Sequence, residues 1–200
     1  MTLLLANAHV VVMDDAGAEH ADGWVLLAGG LVEAVGGGAP PEADERVDLG
    51  GAVVTPGLVN THHHLYQTLT RARAQEADLF TWLKTLYPTW ARIDEEMEYA
   101  AARTGLAELA LSGCTTIFDH HYVFPRGGGD LVEAEMSAAR ELGVRLVPSR
   151  GSMDLGESGG SPPSDSPRSI EPRDGTRRTP SSRAALISAS TRSPPPRGKT

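Results

Sequence analysis

Cysteine is nearly missing from this 200-residue chain, with Cys114 its single example. One thiol excludes an intramolecular disulfide, so a reducing, cytoplasmic setting is the default expectation. Long apolar runs are missing too: none approaches the roughly 20 residues that a membrane-spanning helix needs. The opening "MTLLLANAHVVVMDD" has no basic segment and soon reaches Asp14 and Asp15, so it does not read as a secretory leader. Basic residues are scarce before position 157, 10 against 22 acidic, which argues against nucleic acid as a natural partner. Histidine stops early as well, since none of the seven follows His121.

What is present divides sharply. Residues 157–200 hold 8 of the 14 prolines, 10 serines and 8 of the 18 basic residues, with few apolar ones: Ile170, Ala184, Ala185, Leu186, Ile187 and Ala189. Such a composition cannot bury a core and predicts a disordered tail with no nucleic-acid-binding pattern. From Leu3 to Val54, short apolar runs alternate with Gly or Asp turns, such as Gly29-Gly30 and Gly36-Gly37-Gly38, which predicts an antiparallel β meander over 1–54.

After Pro56 the period changes. Helical spacing covers Leu79–Tyr87 and Asp94–Leu111, with Asp94 as N-cap, Glu95 and Glu96 in the first turn and Gly113 as the stop. Asp130 and Glu133 are spaced as a capping box for a helix ending at Gly143. Strands at Val53–Val59, Thr115–Phe118 and Val144–Pro148 alternate with these helices. A βαβαβ series builds a parallel sheet or barrel, and Cys114 reads as buried within it.

The chemistry concentrates in "TPGLVNTHHHLYQ", Thr55 to Gln67. On extended backbone His62 and His64 project to one side and His63 to the other, so the first two can share a divalent ion. Three residues past His64, the Gln67 carboxamide offers a donor and an acceptor side by side, and the residue reads equally well as an exposed helix position. Asp119-His120-His121 follows the next strand, and either histidine can contact substrate or serve as a satisfied core residue. Trp82, Tyr87 and Trp90 fit a core better than a stacking platform.

"TPGLVNTHHHLYQTLTRA" resembles the first-strand signature of the amidohydrolase superfamily, and "DLFTWLKTLYPTW" with "GCTTIFDHHYVFP" resembles its purine and triazine aminohydrolase branch, nearest to the 8-oxoguanine deaminases. The resemblance covers residues 1 to about 156. It implies a small β-sandwich joined to a (β/α)8 TIM-type barrel, homo-oligomers in full-length members, and one zinc, or iron, per complete site. His62 and His64 would be metal ligands, and Gln67 and His121 would contact a small purine or triazine. The implied reaction is hydrolytic deamination, 8-oxoguanine to urate plus ammonia, with s-triazine, guanine or adenosine-type rings as alternatives.

The resemblance also implies a third imidazole, a metal-binding Asp and an acid-base Glu and His from later strands, which have nowhere to reside in a tail of Ser, Pro and Arg without histidine. The expectation is therefore an α/β chain with an incomplete barrel: strands of the sandwich over 1–54, three βα units over 55–156 and a disordered tail over 157–200. A reading-frame shift or truncated gene explains the composition change better than a natural extension, and a non-catalytic fragment with a partial metal site is the expected behaviour.

Overall fold

A computed structural model describes residues 1–151 and the strand at 187–190. In chain order the strands are β1 (Thr2–Val11), β2 (Glu19–Ala28), β3 (Leu31–Gly37), β4 (Glu45–Pro56), β5 (Leu58–His63), β6 (Cys114–His121), β7 (Arg145–Arg150) and β8 (Ile187–Ser190). The helices are α1 (Leu79–Trp90), α2 (Glu95–Leu111) and α3 (Leu131–Leu142), with a short 3-10 helix at Leu65–Thr70. The chain divides into two units: Met1–Leu58 with β8, and a second that begins at Val59.

The first unit is one sheet in the order β3-β2-β1-β4-β8. Alternation along β1 buries Leu4, Ala6, Ala8 and Val10 on one face, and Val10 packs with Val25 and Val54. The expected antiparallel meander needs a correction. β1–β2 and β2–β3 are antiparallel, but β4 crosses to the far side of β1 and runs parallel to it.

β1 is a single strand, continuous through Asn7 at φ 55°. Opposite it β4 bulges at Gly50 and Gly51, whose φ of 58° and 82° few other residues adopt. Asp48 Oδ1 ties the irregularity together by accepting from Asn7 Nδ2 at 2.7 Å and from the Gly50 amide at 2.8 Å. A second correction concerns the tail, expected to lack structure: Ile187–Ser190 pairs antiparallel with Val53–Pro56. The remainder of residues 152–200 lies outside the described residues.

The second unit carries a three-stranded sheet, β5-β6-β7, with β6 and β7 parallel from Thr116↔Arg145 to His121↔Arg150. The expected strand Val53–Val59 is split, because Pro56 lacks an amide donor and Gly57 breaks the pairing; Val53 and Val54 belong to β4 and the new strand starts at Leu58. Along β6 the side chains of Ile117, Asp119 and His121 are fully buried on one face, while Phe118 and His120 lie on the other.

Asp94 caps α2 as expected, and Asp78 gives α1 an N-cap that was not expected. Asp94 Oδ1 accepts from the Met97 amide at 2.9 Å, and Asp78 Oδ1 from Thr81 at 2.8 Å. α1 continues through Pro88 to Trp90, three residues past the expected end, because Trp90 is wholly buried and its Nε1 donates to Thr70 Oγ1 at 3.0 Å. The capping box of α3 is only half formed. Asp130 Oδ1 accepts from the Glu133 amide at 3.1 Å, but the Glu133 carboxylate pairs with Arg140, and the Asp130 amide donates to Glu95 instead.

One core cluster joins Leu65, Ala102, Leu106, Ile117, Ala138 and Leu146, with Cys114 also buried; a second gathers Tyr66, Leu86, Trp90, Phe124 and Leu131. No helix among the described residues is long and apolar enough to cross a membrane. Leu106 has no exposure and links α2 to β6 and α3. Leu106→Ala is expected to lower the unfolding free energy by about 2–5 kcal/mol in urea titrations, because the lost methyl groups leave a cavity the small neighbours Ala102 and Ala138 cannot fill.

Candidate metal centre

The Pro-Gly break lets β5 run as a short extended segment that ends in the histidines. His62 Nε2 and His64 Nε2 approach to 3.3 Å, and their rings meet edge to face with centroids 5.0 Å apart. Two nitrogens each about 2.0–2.1 Å from one ion at a tetrahedral angle lie about 3.3–3.4 Å apart. The observed spacing therefore suits a shared cation.

The tautomer is set from outside the pair. His64 Nδ1 lies 2.6 Å from the main-chain carbonyl of His120. A carbonyl only accepts, so Nδ1 donates, and in the neutral ring Nε2 then keeps its lone pair toward His62. The amide of the next residue, Leu65, donates to the buried Asp119 Oδ1 at 2.7 Å. Adjacent residues of β6 thus grip the end of β5 twice, one through its side chain and the next through its carbonyl. The His62 amide donates to Asn60 Oδ1 at 3.0 Å, which ties down the backbone that carries the other imidazole.

His63 turns the opposite way. Its Nδ1 is 3.8 Å from Asp119 Oδ1, and its ring sits beside Gly105 of α2. His120 joins His62 and His64 on the open face, with its ring centroid 4.7 Å from that of His62. Gln67 lines an open cleft of about 370 Å³ together with His62, His64, Arg71 and Trp82, and His63 also reaches its wall. Arg71 Nη1 and Nη2 donate to both carboxylate oxygens of Glu108 at 2.7 and 2.6 Å, fastening the segment after the 3-10 helix to α2. The Glu108 bond and charge raise Arg71 further above its ordinary range.

His121 needs a correction as a substrate contact. It has no exposure, and both ring nitrogens are engaged, Nδ1 with Glu135 at 2.6 Å and Nε2 with the Val123 carbonyl at 2.7 Å. Alternation along β6 puts it on the helix side, away from the cleft. Trp90 and Tyr87 pack in or against the core, as expected. Sequence reasoning missed Asp119 as the anchor of Leu65 and missed Glu98 and Glu135 beside His121. The available signal was spacing: Glu98 falls in line with Ala101, Ala102, Gly105 and Leu106, and Glu135 with Leu131, Ala134, Ala138 and Ala139, so both lie on buried stripes.

Comparison with known proteins gives the relationships. A model of the amidohydrolase family matches residues 53–192, reaching into the segment that composition sets apart. The chain is 48% identical over 160 residues to 8-oxoguanine deaminase of Pseudomonas aeruginosa, covering 78% of this chain and 36% of that one. It is 40% identical over 122 residues to hydroxydechloroatrazine ethylaminohydrolase of Pseudomonas sp. strain ADP, covering 58% and 25%. Atrazine chlorohydrolase of Arthrobacter aurescens TC1, solved with zinc, superposes with a TM-score of 0.72 at 30% identity, over 82% of this chain and 38% of that one. The chain thus spans between a quarter and two fifths of the length of these relatives.

Asp119→Ala leaves the Leu65 amide buried without an acceptor and is expected to cost about 1–3 kcal/mol in chemical denaturation. Asp119→Asn keeps that acceptor oxygen and should lose clearly less.

Proposed function

Since the chain belongs to the amidohydrolase family, we propose that His62 and His64 are two ligands of a divalent metal, zinc or iron, in a hydrolytic site of that family. The observation that carries the reading is the 3.3 Å approach of the two Nε2 atoms, together with the carbonyl that keeps a proton on the far side of His64. When bound, the metal would supply Lewis acidity that makes water nucleophilic near neutral pH. The protein's own part is to turn the two imidazoles toward one another, with Gln67 lining the cleft beside them and its Nε2 donating to the Tyr66 hydroxyl at 3.4 Å.

The substrate class we propose for the complete site is a purine-type ring, 8-oxoguanine giving urate and ammonia. The 48% identity to 8-oxoguanine deaminase supports it. An s-triazine is the second reading, supported by the 40% identical ethylaminohydrolase and the likeness to atrazine chlorohydrolase. In either case residues 55–156 would be the first three βα units of a (β/α)8 barrel, and residues 1–54 part of a small β-sandwich. The third imidazole implied by the family has no histidine after His121 to supply it. Metal binding without turnover is therefore the expectation for this chain as it stands.

Titration calorimetry with zinc tests the ligand assignment. The chain should take up one equivalent, His62→Ala and His64→Ala should weaken binding by at least about tenfold each, and His63→Ala should not. Equal weakening by all three would contradict the assignment. Ammonia release by a form extended to the length of the relatives, offered 8-oxoguanine, guanine and s-triazines, tests the substrate class.

A further inference from the structure

Three enclosed side chains on the helix side of the sheet take no part in the cleft. Glu98 of α2, His121 of β6 and Glu135 of α3 are all at zero exposure. His121 Nδ1 is 2.6 Å from Glu135 Oε1 and 3.8 Å from Glu98 Oε1, and their ligand-type atoms lie within 4.8 Å of one another. His121 Nε2 faces the Val123 carbonyl at 2.7 Å and so must carry a hydrogen.

As bare carboxylates the two glutamates leave Glu98 Oε1, Glu98 Oε2 and Glu135 Oε2 without hydrogen-bond partners. Two adjacent anions with unpaired oxygens, cut off from water, are strongly disfavoured. A proton on Glu98 removes one of the charges and supplies a donor that pairs one Glu98 oxygen with Glu135, leaving a single neutral carbonyl oxygen unpaired in place of three anionic ones. A shared metal fits poorly: the 2.6 Å between Nδ1 and Oε1 is a hydrogen-bond separation, well short of the about 3.3 Å between two tetrahedral zinc ligands.

We propose that Glu98 is a neutral carboxylic acid donating to Glu135, and that the Glu135 carboxylate accepts in turn from His121, which donates from both ring nitrogens. This acid, carboxylate and imidazolium triad has no net charge and fastens α2 and α3 to the end of β6. Its members are positioning residues. They hold the strand whose preceding residues, Asp119 and His120, orient Leu65 and His64. Asp119 and Tyr66 are the other titratable groups that face it, the Tyr66 ring centroid lying 5.1 Å from that of His121. Burial first, and the charge of Glu135 second, push the Glu98 carboxyl up to about 10. Burial also raises Glu135, opposed by its bond to His121. The triad is independent of whether His62 and His64 bind a metal.

Glu98→Gln tests the proposal, because an amide can donate as the acid does but cannot ionise. A group that titrates higher folded than unfolded gives stability that is complete below its unfolded value and is lost as pH rises toward its folded one. Unfolding of the 200-residue chain and of Glu98→Gln should therefore be compared between about pH 5 and pH 9. The ratio of their unfolding constants is expected to shift in favour of Glu98→Gln by up to about tenfold per pH unit, while Glu98→Ala is destabilised throughout. Infrared difference spectra of wild type minus Glu98→Gln at neutral pH should show the carbonyl stretch of a protonated carboxylic acid. A pH-independent ratio, a Glu98→Gln protein that fails to fold, or the absence of that band overturns the proposal. So does one equivalent of zinc retained by a His62→Ala, His64→Ala double variant and lost on adding Glu98→Gln.

Discussion

The arrangement of the cleft depends on one hydrogen bond, from His64 Nδ1 to the carbonyl of His120. Without it His64 could place its proton on either nitrogen and turn freely about its side-chain bonds. With it, the lone pair of Nε2 is committed to the open face, where His62 presents its own Nε2. The bond exists because β5 and β6 are neighbours in the sheet and because Asp119, one residue earlier, captures the Leu65 amide and fixes the turn into the 3-10 helix. The candidate metal centre is thus a property of two strand ends held in register rather than of the three histidines alone.

That register is maintained from behind. Alternation along β6 sends Ile117, Asp119 and His121 toward the helices and Phe118 and His120 toward the open side, so one strand serves a buried face and a chemical face at once. On the buried face Ile117, Leu106 and Leu146 pack into one apolar cluster, and the bond between His121 and Glu135 adds a directional tie from β6 to α3. Each unpaired charge in such a place is costly, which is why the position of a single proton on Glu98 matters.

Much of the second unit was legible in the residues. Asp94, Asp130 and Gly143 mark helix ends because short polar side chains and a left-handed glycine satisfy end groups locally. The common side of His62 and His64 followed from the two-residue repeat of extended backbone. What was not legible depended on partners distant in sequence. The parallel pairing of β4 with β1 requires a crossover that no local pattern announces, and the single strand through Asn7 depends on the facing bulge at Gly50 and Gly51. His121 could be assigned to the cleft or to the core from sequence, and only the glutamates brought up by α2 and α3 decide for the core. Ile187–Ser190 went unseen because four residues in a Ser- and Pro-rich context carry almost no periodic signal.

The central claim is that His64 is held as the Nδ1-protonated tautomer with Nε2 free for a cation. Nitrogen-15 NMR of the histidine side chains tests it most directly. The account predicts that His64 shows a protonated Nδ1 before metal is added, and that zinc then moves its Nε2 resonance together with that of His62 while Nδ1 keeps its proton. An Nε2-protonated His64, or zinc that shifts Nδ1 in place of Nε2, would contradict it.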